Sequence, residues 1–121
     1  MDLWSEETKA RHRTEIDATE TLLVQSARRR QTITYGELRQ RVPGINFRTE
    51  GPILGTISIE SNRTRGVMLS AVVVDITGQP GDGFFTLAQV LGRSVDDRRS
   101  FHQQELNRVF QEYAEQRDES Q

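Results

Sequence analysis

The apolar positions of this chain fall first at helical spacing, then in one short unbroken run, then at helical spacing again. Ser5-Glu6-Glu7 reads as a helix start, with a serine oxygen for a free amide and acids at the positive end of the dipole. Ile16, Leu23 and Ala27 follow at helical spacing, and Leu22 widens the stripe. Arg28, Arg29 and Arg30 place cations at the negative end. This pattern predicts one long helix over about residues 5–30, polar enough up to Arg13 to stand in solvent.

Thr34-Tyr35-Gly36-Glu37 forms a capping box, with Ile33 before the cap and Leu38 at the staple position. A short helix is predicted to end before Pro43-Gly44. A third helix is predicted over about 51–62, with Pro52 in its first turn and Ile53, Leu54 and Ile57 on one face. Gly55 and Ser58 allow close approach there, while Ile59 lies off the stripe. The run over 68–76, Met-Leu-Ser-Ala-Val-Val-Val-Asp-Ile, predicts a strand. Residues 77–83 carry three glycines and a proline and predict a turn. Leu87, Ala88 and Leu91 continue at helical spacing to Gly92. Ser94-x-x-Asp97 opens a last helix with Phe101, Leu106, Val109, Phe110 and Tyr113 as its buried stripe.

Together these elements predict one α+β domain over 1–121, winged-helix-like, with helices around a small antiparallel sheet or hairpin. Its parts are an N-terminal helix (1–30), a winged-helix-like core (31–92), a C-terminal helix (93–114) and a frayed tail (115–121).

Composition narrows the chemistry. The chain has 121 residues and no cysteine, which removes disulfides, thiolate nucleophiles and cysteine zinc sites. It lacks an apolar run long enough to span a bilayer, and its first residues are polar and acidic, unlike a signal peptide; a cytoplasmic location is expected. The 16 cations against 18 acids leave a net charge of −2, so nucleic-acid binding needs local clustering of arginines rather than a basic excess.

The order helix, capped short helix, glycine-containing helix, apolar segment, glycine turn resembles the DNA-binding domain of the alkylguanine-DNA alkyltransferases and alkyltransferase-like proteins. The likeness runs over about Arg30–Phe85. It is carried by the Thr34–Glu37 box, by Leu54-Gly55-Thr56-Ile57 in the place of the recognition helix, and by the glycine turn 78–83. The resemblance implies a helix-turn-helix scaffold that contacts DNA. The family's reactive Pro-Cys-His-Arg segment falls on Leu69, Ser70, Ala71 and Val72, where no cysteine, histidine or arginine stands. A serine without a base is a poor nucleophile, so alkyl transfer is not expected. The family's inserted arginine falls near Pro52, which leaves base flipping without its wedge. The combined pattern is also similar to small bacterial proteins, a likeness that carries no function.

Four residues are expected at a nucleic-acid face: Tyr35, Arg48, Arg63 and Arg65, with Arg39 and Arg41 nearby. Phe47 adds an aromatic ring beside Arg48, although a lone phenylalanine is more often core. His102-x-x-Glu105 supplies two groups on one helix face, short of the three protein ligands that a catalytic zinc takes, and reads as a solvated face. Asp75 and Asp82 flank the glycine turn and form the candidate carboxylate pair of an enzyme or nuclease; their simpler role is to end a strand and to serve the turn. The turn lacks the lysine and hydroxyl of a phosphate-binding loop. The expected function is therefore a non-enzymatic nucleic-acid-binding domain, with a protein–protein module as the alternative and a small enzyme using Asp75 and Asp82 as the third reading. No cofactor or metal is expected.

Overall fold

The computed structural model describes the backbone of residues 2–119 and the side chains of residues 2–114. Six α-helices make up most of it: α1 (Glu6–Arg11), α2 (Arg13–Arg28), α3 (Tyr35–Arg41), α4 (Glu50–Arg65), α5 (Asp82–Val90) and α6 (Arg98–Glu119). Two strands of two residues each, β1 (Ile33–Thr34) and β2 (Val73–Val74), pair in parallel, Ile33 beside Val73 and Thr34 beside Val74. The fold is thus mostly helical. The expected α+β, winged-helix-like arrangement around an antiparallel sheet or hairpin is overturned.

The reason lies in residues 68–72. Instead of extending as a strand, Leu69–Val72 winds into a short 3-10 turn, completely inside the molecule. A buried backbone amide must find a partner. Here side chains supply it: Glu105 Oε2 accepts from the Met68 amide at 2.7 Å, Ser61 Oγ from the Leu69 amide at 3.0 Å and Ser58 Oγ from the Ser70 amide at 2.9 Å. These bonds replace a sheet partner, and only Val73 and Val74 are left to pair with β1. An unbroken apolar run looks the same in sequence whether it becomes a strand or a buried turn.

The turn sits at the centre, packed by α2, α4 and α6. Leu23 and Ala27 of α2, Ile53 of α4, Val109 of α6, and Leu69 and Val72 are all fully buried. The N-terminal and C-terminal helices are therefore part of the core. Burying one such side chain stabilises the fold by about 1.5–3 kcal/mol.

The long first helix is broken at His12, which caps α1 at φ −110° and ψ 18° and directly precedes α2. α1 buries no residue, as its polar sequence requires. The capping box is present: Thr34 Oγ1 accepts from the Glu37 amide at 3.1 Å, and Glu37 Oε1 accepts from the Thr34 amide at 3.2 Å. Gly66 ends α4 with φ +74°, a left-handed conformation that suits glycine. The last helix starts later than Ser94 suggests. Asp97 is its cap, accepting from the Ser100 amide at 3.0 Å. Its backbone stays helical through Glu119, across most of the expected frayed tail, of which Ser120 and Gln121 lie outside the described residues.

Candidate functional site

Where α3, the start of α4 and α5 come together, they border a groove of about 700 Å³, within the size range of ligand sites. Leu54, Phe84 and Leu87 make much of its wall apolar, and Tyr35 and Glu50 bring polar groups to it. Asn46 shapes the approach to α4: its Oδ1 accepts from the Arg48 amide at 2.8 Å and from the Thr49 amide at 3.2 Å. This turn lifts Phe47 and Arg48 outward just before the helix begins.

Of the two places open to Phe47, the aromatic face beside Arg48 and the core, the structure takes the first. It is 83% exposed, and the Arg39 guanidinium lies 4.0 Å from its ring centroid. The cation–π contact covers one side of the ring. The same guanidinium donates to Glu50 Oε1 at 2.6 Å, while Glu50 Oε2 is buried with no hydrogen-bond partner. Burial raises the Glu50 carboxyl above the ordinary carboxylate value, against the opposing pull of Arg39.

Tyr35 opens α3 from the capping box and reaches across to the glycine turn, where its hydroxyl oxygen accepts from the Gly81 amide at 2.8 Å. Burial raises the Tyr35 phenol above its usual value. Its hydroxyl hydrogen has no acceptor among the described residues, so the groove holds a donor at Tyr35 near an acceptor at Glu50.

The four residues expected at a nucleic-acid face do not form one patch. Tyr35 lines the groove, and Arg48 is exposed beside Phe47. Arg63 and Arg65 stand in the last turn of α4, on the order of 20 Å from Arg48 at 1.5 Å per helical residue. Arg63 is held by Glu60 at 2.6 Å, and Arg65 pairs with Glu112 at 3.3 Å and lies over the Tyr113 ring. Leu54, Gly55 and Ile57, in the place of a recognition helix, are buried instead of facing a duplex.

The other candidates have structural work. Asp75 Oδ1 accepts from the Thr77 hydroxyl at 2.6 Å, the Thr77 amide at 2.8 Å and the Gln79 amide at 3.2 Å. The Thr77 hydroxyl, foremost among these donors, holds the exposed Asp75 carboxyl below its usual value. Asp82 opens α5 and pairs with Arg98 at 2.7 Å, so each carboxylate is committed to a separate contact. Ser70 lies in the 3-10 turn, not in a strand, and its hydroxyl oxygen accepts from Ser58 Oγ at 2.5 Å.

His102 and Glu105 are not a solvated face: they are 3% and 2% exposed. His102 Nε2 bonds the Ala71 carbonyl at 2.9 Å, and Glu105 Oε1 accepts from Arg93 at 2.8 Å and Arg108 at 2.7 Å. Among the described residues, no helix is long and apolar enough to cross a membrane.

Sequence reasoning passed over Glu50, and over Leu3 and Trp4, which also border the groove. Only an acid directly before Gly-Pro at a helix start could have pointed to Glu50. No protein-family profile, curated protein or solved structure matches this chain.

Proposed function

We propose that this chain is a non-enzymatic nucleic-acid-binding module whose contact face is the groove mouth formed by Phe47, Arg48 and Tyr35. The observation that carries the reading is the Phe47 ring, exposed on the surface, backed by Arg39 and followed at once by Arg48. An aromatic face beside cations suits an unpaired base and its phosphate, and such stacking tolerates any base sequence. Tyr35 adds a hydroxyl donor inside the groove, and pairing with Arg39 offsets the negative charge of Glu50. The net charge of −2 points to modest, salt-sensitive affinity. Single strands are favoured over duplex, because a base must leave its stack to reach Phe47.

The test is fluorescence anisotropy with short single-stranded and duplex oligonucleotides across a salt series. Binding that favours single strands and weakens with salt supports the reading. Absence of binding at low salt to DNA and RNA alike overturns it. The apolar rim, with Val90 55% exposed, favours a second reading as a protein-docking groove. That reading gains if the isolated chain captures an apolar peptide but no nucleic acid.

A further inference from the structure

One wall of the groove comes from residues near the start of the same chain, Leu3 and Trp4. Leu3 lies between α4 and α5: a Cβ built on Gly55 would collide with Leu3 Cδ1 and stand 3.8 Å from Leu87 Cδ2. A real Cβ contact is essentially never that short, so a side chain at position 55 would force the end of Leu3 to move. Trp4 follows along the groove, and its ring stacks on His12 with centroids 4.6 Å apart and planes 25° from parallel. Lys9 tethers the segment from the other side, 3.7 Å from Asp2 while bonded to Glu6 at 2.5 Å.

These contacts are of two kinds. The anchoring ones, Trp4 on His12 and Lys9 to Asp2, join the segment to the α1–α2 corner. The contact inside the groove is apolar. Among the described residues, no hydrogen bond joins residues 2–4 to α4 or α5. Leu3 itself remains 45% exposed. An apolar side chain half-buried in this way can leave without breaking a hydrogen bond, while the chain connection through Ser5 to α1 keeps it close at high effective concentration.

We propose that residues 2–5 form a displaceable strap that covers the Gly55 floor of the groove and competes with a ligand that reaches it. Occlusion stands on the Leu3–Gly55 packing alone; competition with nucleic acid rests on the function proposed above. The strap closes on Gly55 and opens by pivoting at Ser5, the cap of α1, which also lifts Trp4 from His12, so a ligand that reaches Gly55 must first expel Leu3.

Trp4 is the single tryptophan of the chain, so its fluorescence reports the strap directly. The experiment compares the full chain with Leu3→Ser and Gly55→Ala. The readouts are acrylamide quenching of Trp4, uptake of the dye 8-anilinonaphthalene-1-sulfonate, and oligonucleotide affinity, with circular dichroism to establish the helical fold. Gly55→Ala puts a methyl group where Leu3 sits, and Leu3→Ser removes the apolar grip. Half the burial of a leucine corresponds to about a five-fold change in strap occupancy. Both variants are therefore expected to quench more readily, to take up more dye and to bind oligonucleotide about five-fold more tightly. Unchanged quenching and dye uptake in folded Leu3→Ser would overturn the strap. Greater dye uptake with weaker oligonucleotide binding would overturn competition and assign Leu3 to the ligand contact. Greater dye uptake with no oligonucleotide binding by any of the three proteins would keep the occluding strap and reject the nucleic-acid function.

Discussion

Glu105 on α6 accepts the amide hydrogen of Met68 at 2.7 Å, across 37 positions of sequence, and the same carboxylate gathers Arg93 and Arg108. Arg93 extends the cluster to Asn62 Oδ1 at 2.6 Å and the Gly66 carbonyl at 2.9 Å. One 2%-exposed carboxylate thereby ties α6 to the end of α4 and to the start of the buried 3-10 turn. A buried charge is tolerated only when paired and hydrogen-bonded, and here both oxygens are engaged.

Removing that carboxylate is expected to be among the most damaging substitutions. Glu105→Ala strands the Met68 amide and takes the one carboxylate from the Arg93 guanidinium, whose side chain is only 18% exposed. Breaking a buried pair from one side costs about 3–5 kcal/mol. Arg108→Ala, at a side chain 50% exposed, should cost under about 1 kcal/mol. Urea unfolding of both variants checks the contrast, and equal losses would deny Glu105 its role as the hub.

Thr34→Ala removes one half of the capping box that starts α3. The expected loss is about 1 kcal/mol. The same box places Tyr35, so the substitution should also loosen the hydroxyl contact to Gly81. Thermal melting measures the first effect, and amide exchange at Gly81 measures the second. An unchanged melt would show that the cap contributes nothing.

Glu50 predicts a pH dependence with a definite sign. Burial raises its folded-state pKa above the value in the unfolded chain. Between those two values the folded protein holds more protons, so its stability falls as pH rises through that window and levels off above it. Glu50→Gln removes this contribution. Relative to the parent, the variant should gain stability as pH rises through the window, on top of a pH-independent offset from setting an amide in place of the protonated acid beside Arg39. Urea titrations of both proteins over that acidic range provide the check. A difference independent of pH would mean that Glu50 titrates alike in both states.

The contact face separates residues that looked equivalent in sequence. Phe47→Ala should weaken single-strand binding by roughly 10-fold or more, since stacking contributes about 1–3 kcal/mol per base. Arg48→Ala should lower the salt slope by about 0.7, the loss of one phosphate contact on a single strand. Arg63→Ala with Arg65→Ala should leave both nearly unchanged, because these side chains face Glu60 and Glu112. Anisotropy titrations at several salt concentrations test all three, and a larger effect of the Arg63/Arg65 pair would move the face to the far end of α4.

Short-range signals determined a good part of this protein. Thr34 caps Glu37 three residues away, Pro52 fits the first turn of α4, and Asp75 organises the turn through Thr77 and Gln79; each contact closes within four positions. Local spacing suffices to predict the cap and the proline, apart from helix ends and the break at His12, whereas it assigns the turn to Asp82 and a strand end to Asp75, and the structure gives the turn to Asp75.

Tertiary structure decided the rest. Whether 68–76 became a strand depended on Ser58, Ser61 and Glu105, which meet its amides from up to 37 positions away. His102 and Glu105 could be solvated or buried on the same helix pattern until the turn packed against them. Phe47 stands outside because the Asn46 turn and Arg39 hold it there, and the groove exists only where α3, α4 and α5 converge. The physical reason is the same in each case: burial and hydrogen-bond satisfaction depend on which distant groups arrive, and residue spacing along the chain carries no record of that arrival.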